Sequence, residues 1–143
     1  MLNRLKTKDR LLKHGLQMNE LCCPCDEQAE SVQHLFFECT VAVKCLQEIK
    51  QWLTWNVVSS NLPTLLRWTA RAKILKFRKK VYTTAVAGLV YNIWKLRNNI
   101  TWQGVSITSN RVTEETKWGI KTRIALFTPK KTKEVDKEWF NEL

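Results

Sequence analysis

The chain has 143 residues, a formal net charge of +11 and a hydrophobic content of 44%. This length suits one domain, or one domain with a tail. Seven Trp, five Phe and two Tyr supply enough large apolar groups to exclude disorder throughout. Only four Gly and three Pro occur. We therefore predict a mainly α fold, a small helical domain.

The positive charge is concentrated in one part of the chain. Residues 1–48 carry a net −1 and residues 114–143 a net +1, whereas residues 49–113 hold eleven Lys or Arg and no acid. Such a segment favours an anionic partner, most simply the phosphate backbone of RNA or DNA. A basic face that contacts only solvent is the alternative.

The cysteine count and the N-terminal residues bear on the compartment. The first fifteen residues are charged and lack the apolar core of a signal peptide, and five cysteines is an odd number. We therefore expect a nuclear or cytoplasmic protein, not a secreted one, whose cysteines bind metal rather than form disulfides. The longest apolar run, residues 81–94, is shorter than the about 20 residues of a membrane span. Neither a membrane nor a small-molecule substrate is indicated.

Helix signals begin near the N-terminus. A short helix is predicted over residues 8–14, where Thr7 can cap the start and Gly15 suits the left-handed position after the end. Another short helix is predicted over residues 32–38, with Ser31 as its N-cap.

Longer helices are predicted after residue 40. Thr40 can cap a helix over residues 41–55, and Cys45 lies on its apolar face as a small core residue. One long amphipathic helix is then predicted from about residue 70 to residue 98. A last helix covers about residues 111–127 and is ended by Pro129.

One cysteine-rich stretch has the spacing of a metal site, C-x2-C-x8-H-x4-C, formed by Cys22, Cys25, His34 and Cys39. Two residues between Cys22 and Cys25 let a tight turn direct both thiolates at one ion. Cys23 is either a spare thiol or an alternate ligand. On a continuous α-helix His34 and Cys39 would diverge by about 140°, so both can bind only if the helix ends near Cys39.

Four nitrogen and sulfur ligands predict one structural zinc ion, because a closed tetrahedral site leaves no position for a catalytic water. Structural zinc contributes about 10–16 kcal/mol in finger peptides, against about 5–15 kcal/mol of net stability for a typical domain. Losing one ligand is therefore expected to unfold at least the first third of the chain. Buried thiols with a satisfied histidine, or a redox switch of Cys22, Cys23 and Cys25, are the alternatives.

Three sequence blocks, RLKTKDRLLKHGL, LCCPC and ESVQHLFFEC, resemble the zinc-binding domain at the C-terminal end of plant LINE-type (non-LTR) retrotransposon reverse transcriptases. The later block VYNIWKLRNNITWQG resembles the helix that follows in the same polyproteins, so the similarity spans about residues 3–104. The resemblance implies that Cys22, Cys25, His34 and Cys39 are the zinc ligands. The sequence departs from the family at Cys23 and at Thr40, where the family often has proline.

The resemblance does not extend to a catalytic function. The family's polymerase and endonuclease domains use clustered carboxylates to hold divalent metals, whereas residues 49–113 contain no Asp or Glu. No P-loop occurs either. We interpret the chain as a non-catalytic, retroelement-derived module with three parts. These are a zinc-binding module (1–55), a basic helical region (56–128) and a polar C-terminal tail (129–143).

The leading functional hypothesis is binding of RNA or single-stranded DNA. Seven basic residues are predicted to contact phosphates: Arg67, Arg71, Lys73, Lys76, Arg78, Lys79 and Lys80. Trp68, Tyr82 or Trp102 would stack on bases if exposed. The alternative is a domesticated helical module that binds a protein partner, or an inert remnant with structural zinc only. In that case the basic residues form a solvated face or a nuclear localisation patch.

Overall fold

The computed structural model describes residues 4–59, 62–128 and 131–143. Their α-helices are α1 (Lys8–Lys13), α2 (Thr40–Trp52), α3 (Leu62–Arg71), α4 (Lys76–Gln103), α5 (Ser109–Phe127) and α6 (Glu134–Asn141), with a π-helical turn at His34–Glu38. In these three segments extended pairing is limited to one isolated bridge between Leu21 and Ala29. The predicted mainly α fold is confirmed. None of the described helices is long and apolar enough to cross a membrane.

One core joins the cysteine-rich loop to the helices that follow. α4 and α5 form an antiparallel hairpin. Gly104 ends α4 at the start of the connection and adopts the left-handed conformation, φ 64°. A Cβ built at Gly88 in the middle of α4 would lie 3.7 Å from the Thr116 methyl of α5. This is an ordinary van der Waals distance, so the two helices are in close contact here but an alanine would also fit. α2 packs against both helices and buries Ile49 beside Ile93 and Ile120 in the same core.

The C-terminal helix α6 is anchored by aromatic contacts. The Phe140 ring meets Phe77 edge-on at 5.8 Å, and Trp139 meets Tyr82 edge-on at 6.2 Å between ring centroids. The Arg78 guanidinium lies 4.6 Å above the Trp139 ring and pairs with the buried Asp136 at 3.0 Å. The tail that was predicted to be polar therefore contains a helix that packs on the start of α4.

The prediction of one helix from residue 70 to residue 98 is wrong at its start. α3 ends at Arg71, and α4 begins only at Lys76 and continues to Gln103. The connecting residues contain no Gly or Pro to mark a break. The chain turns there because Leu65 of α3 and Val81 of α4 are both buried in the common core, which one straight helix could not achieve. Packing overrides local propensity at this point.

Smaller boundaries also differ from the predictions. The predicted N-cap Thr40 is the first residue of α2, and Cys39 takes the cap position. α2 stops at Trp52 rather than Trp55, and Thr54 adopts a left-handed conformation, φ 50°. α5, which was predicted to be the last helix, ends at Phe127 as expected. Pro129, which was expected to end it, lies outside the described residues.

Candidate metal centre

A short knuckle brings the first two thiols together. The bridge between Leu21 and Ala29 closes the base of the loop, and the Cys22 amide donates to the Gln28 carbonyl at 2.7 Å. The Asp26 amide donates back to the Cys22 carbonyl at 2.7 Å, with Asp26 in the left-handed region at φ 57°. The chain therefore reverses immediately after Cys25.

A π-helical turn supplies the other two side chains. The Ser31 hydroxyl accepts the His34 amide at 3.0 Å, which confirms Ser31 as the cap of this helix. The Cys39 amide donates to the His34 carbonyl at 2.7 Å, a bond between residues five apart. A π-turn makes such i→i+5 bonds, so it places Cys39 one full turn after His34. The helix also breaks at Cys39, whose ψ of 127° leads into α2.

The four ligand atoms converge. The sulfurs of Cys22, Cys25 and Cys39 and a ring nitrogen of His34 all lie within 4.8 Å of one another, and Cys25 Sγ is 3.2 Å from His34 Nε2. Zinc bonds of about 2.3 Å to sulfur would place tetrahedral sulfurs about 3.8 Å apart. A three-sulfur, one-nitrogen donor set at this separation fits Zn²⁺, and the group can hold one zinc ion.

Burial distinguishes this group from a surface cluster. Cys22 and Cys39 are fully buried, and His34 is 3% exposed. The second ring nitrogen of His34, Nδ1, is buried and has no hydrogen-bond partner among the described residues. Packing alone therefore orients the ring, with Nε2 directed at the thiols. Four protein ligands fill a tetrahedral shell, which is the arrangement of a structural zinc site.

The N-terminus of α2 favours a thiolate at Cys39. The Cys22 thiol donates to Cys39 and, together with the backbone N–H groups of Ala42 and Val41, lowers the pKa of Cys39 to about 5. The pKa of Cys22 is raised, because Cys22 keeps the shared proton beside the Cys39 thiolate and because it is buried. Zinc binds thiolates, so these contacts favour the form of Cys39 that binds the metal.

The remaining cysteines and His14 lie outside the group. Cys23 turns toward α4, where its sulfur lies 3.1 Å from the Thr101 hydroxyl. Cys45 is fully buried on α2, as predicted for a core residue, and its thiol contacts the Ser109 carbonyl at 3.6 Å. His14 is exposed at the end of α1. The structure therefore leaves Cys23 beside the group as a spare thiol.

A buried ion pair ties the cysteine-rich loop to α4. Arg97 and Glu30 are each 1% exposed. Arg97 Nε donates to both Glu30 oxygens, at 3.0 and 3.2 Å, and Nη2 lies 2.8 Å from Oε1 without the alignment of a hydrogen bond. Glu30 Oε1 also accepts the Lys8 amide of α1 at 2.8 Å. One carboxylate thus connects α1, the loop and α4.

Sequence reasoning missed this pair. Glu30 is one of the acids within residues 1–48, and Arg97 is one of the eleven cations in the acid-free segment of residues 49–113. A signal was present, however, because each residue lies in one of the blocks that carry the family resemblance, ESVQHLFFEC and VYNIWKLRNNITWQG. Arg97 cannot contact an external phosphate, since its charge is buried against Glu30 and its guanidinium lies 5.1 Å from the Trp94 ring.

The seven predicted phosphate-contact residues are divided among several elements. Arg67 and Arg71 lie on α3, Lys73 lies in the connection to α4, and the other four lie on α4. Three consecutive side chains there contact three different helices. Arg78 pairs with Asp136 of α6, Lys79 donates to the Ala70 carbonyl of α3, and Lys80 donates to the Phe127 carbonyl of α5. The seven residues therefore do not form one face of one helix.

The three aromatic residues that were considered for base stacking differ in exposure. Tyr82 is 6% exposed and stacks on Trp55 at 4.6 Å, so it belongs to the core. Trp68 is half-buried in the same cluster. Trp102 is 58% exposed. Three other exposed aromatics, Tyr91, Trp118 and Phe127, were not considered from the sequence.

Fold and site together define a small helical protein with a buried Cys3His centre that can hold zinc. Residues 1–45 match a known sequence family described as zinc-binding in reverse transcriptase. The matched segment contains all four residues of the centre and ends within α2. No curated protein and no solved structure matches the chain. The family is a zinc-binding one, in agreement with the donor set.

Proposed function

We propose that the chain is a zinc-stabilised module that binds RNA or single-stranded DNA and derives from a plant LINE-type retrotransposon reverse transcriptase. The reverse transcriptase zinc-binding match over residues 1–45 supports this origin. An accessory domain of a template-handling enzyme needs affinity for nucleic acid backbone. The net +11 of residues 49–113 supplies it.

One structural observation carries the proposal. Four lysines line a groove of about 480 Å³ between the start of α4 and the start of α6, which we call the lysine groove: Lys76, Lys80, Lys131 and Lys133. The single carboxylate at its edge, Asp136, is paired with Arg78. The positive end of the α4 dipole adds to the same field. Several cations around one groove favour a chain of phosphates over a single neutral ligand.

The proposed role is binding rather than catalysis. A closed shell of three thiolates and one imidazole leaves no coordination position for a substrate or an activated water. The zinc would act through folding, because it fixes the loop that carries Glu30 against Arg97 of α4. The lysine groove then lies on helices that are held in a fixed arrangement.

Fluorescence anisotropy with labelled ten-nucleotide RNA and DNA at several salt concentrations tests the proposal. Affinity should fall steeply with salt, by about 0.7 log units per log unit of salt for each phosphate contact on a single strand. Replacing Lys76, Lys131 and Lys133 by Gln should reduce the slope by about two. Lys44→Gln, an exposed change on α2, is the matched control. Absence of any salt-dependent binding would contradict the proposal.

A further inference from the structure

A second groove lies along the hairpin of α4 and α5, distinct from both the metal centre and the lysine groove. It has a volume of about 770 Å³, within the range of ligand-binding clefts. Its walls include Tyr91 and Trp118, which are 66% and 71% exposed. Tryptophan in a helix of a small protein is ordinarily buried, so two neighbouring exposed aromatics beside a groove indicate a contact surface.

The floor of this groove is open because of small residues. Gly88 and Ala87 of α4 and Gly119 of α5 line it, and a Cβ built at Gly119 would have no neighbour within 4 Å. A flat planar group therefore has room between the two helices beside Tyr91 and Trp118. The base of a nucleotide has this shape, and every base can stack on an aromatic side chain.

The charges around the groove favour a polyanion. Lys95 and Arg123 line it, and Lys80 lies about two turns before Ala87 on the same side of α4. The carboxylate in the groove, Glu115, is held between Lys95 and Arg111, each at 3.0 Å. The hydrogen bond from Lys95, followed by that from Arg111, lowers the pKa of Glu115. The groove therefore has more positively than negatively charged side chains, and its one carboxylate is already paired.

Basic and aromatic side chains lie in one line along α4, which we call the track. At 100° per residue, Lys80, Ala87 and Tyr91 lie within about 40° of one another on α4, with Lys95 a further turn along. The rise from Lys80 to Lys95 is about 22 Å, enough for about six stacked nucleotides at about 3.4 Å each. The lysine groove meets this track at Lys80, which lies between the two.

We propose that the α4–α5 groove is a stacking platform for single-stranded nucleic acid, in which Trp118 and Tyr91 hold unpaired bases while Lys80, Lys95 and Arg123 contact the backbone. This inference rests on the proposed nucleic-acid function and narrows it to unpaired strands. A paired duplex hides the base faces inside its stack, so stacking distinguishes the two forms. Phosphate contact alone does not.

Anisotropy on the zinc-loaded full chain, with a ten-nucleotide oligouridine and an RNA duplex of equal length, tests the platform. We expect the single strand to bind more tightly, and Trp118→Ala and Tyr91→Ala each to weaken it about 5- to 150-fold, the range for loss of one stacked base. Duplex binding should stay within about twofold. Ala87→Glu, an exposed change, should weaken single-strand binding through charge repulsion.

Leu126→Ala is the matched control, because it removes a large apolar side chain of similar exposure from α5 outside the groove. If the wild-type chain binds oligouridine but Trp118→Ala binds equally well, the platform is wrong while the proposed function stands. If the wild type binds no nucleic acid, both are wrong. Concentration-dependent dimerisation that Trp118→Ala abolishes, with unchanged oligouridine affinity, would identify the groove as a protein interface and overturn the platform.

Discussion

The Cys39 amide donates to the His34 carbonyl at 2.7 Å. This bond closes the π-turn that carries His34 and Cys39, the last two of the four ligands in the sequence. On an α-helix these residues would diverge by about 140°. The i→i+5 bond instead places them one turn apart, so that both reach the thiols of the knuckle. The same bond positions Cys39 as the residue that caps α2.

The register of this turn can be tested by moving one sulfur. The double change Cys39→Ser and Thr40→Cys keeps three nearby cysteines but shifts the last thiol onto the first residue of α2. Zinc affinity should fall, because the shifted sulfur departs from the π-turn geometry and leaves only three protein ligands in place. Competition with a chromogenic chelator measures it. Cys23→Ser, whose sulfur contacts Thr101 instead, should bind zinc like the wild type, and equal affinity of both variants would exclude a role for the turn.

The buried pair of Glu30 and Arg97 should contribute to stability mainly through mutual neutralisation. Glu30→Gln leaves the Arg97 charge buried without compensation and should cost about 3–5 kcal/mol in the free energy of unfolding. The double variant Glu30→Gln and Arg97→Met should cost less than the sum of the two single changes. Urea unfolding of the zinc-loaded protein measures this cycle.

The exposed pair of Lys95 and Glu115 provides the control for that cycle. Lys95→Met removes a salt bridge whose side chains are 46% and 33% exposed. Its cost should stay below about 1 kcal/mol. A cost for Glu30→Gln that is no larger than the cost for Lys95→Met would contradict the view that Glu30 connects the loop to α4.

Docking of α6 should depend on Asp136. This carboxylate is 2% exposed and accepts from Arg78 at 3.0 Å. Asp136→Asn should destabilise the fold by about 1.5–3 kcal/mol, the range for a hydrogen bond to a charged group. Lys137→Ala, which removes an exposed pair with Glu134, should change stability by less than about 0.5 kcal/mol. Thermal unfolding separates the two variants, and equal melting temperatures would show that α6 is not docked through this pair.

Metal removal should loosen the metal-binding residues before it unfolds the helical core. After chelation, hydrogen exchange should accelerate first in residues 20–39, because the knuckle and the π-turn are held together through the metal. The buried amides around Ile93 and Ile120 in the α4–α5 hairpin should exchange later. Hydrogen-exchange mass spectrometry resolves the two regions, and a uniform rise throughout the chain would show instead that the fold has no independent helical part.

The sequence predicts the helical fold and the convergence of four donors well, since both follow from local signals. Ser31 caps the turn as expected, and the C-x2-C spacing predicts the knuckle. The π-turn itself leaves no local mark in HLFFEC. It forms because Leu35 and Phe36 are buried against the helical core, and propensity carries no information about that packing.

The long helix and the basic residues show where sequence reasoning stops. The break between Arg71 and Lys76 has no Gly or Pro, and only the shared core requires it. Lys79 and Arg78 look equivalent in sequence, yet one caps α3 and the other pairs with α6. Trp118 escaped notice because its exposure depends on how α5 lies on α4. The predicted boundaries between the zinc module, the basic region and the tail remain predictions.

Zinc content of the purified protein, by elemental analysis after exhaustive dialysis, tests the central claim most directly. The four converging ligand atoms predict one zinc per chain for the wild type and for Cys23→Ser, and markedly less for His34→Ala, because only three of the four protein ligands remain. A folded wild-type chain without zinc, or one whose zinc content is unchanged by His34→Ala, would contradict the account.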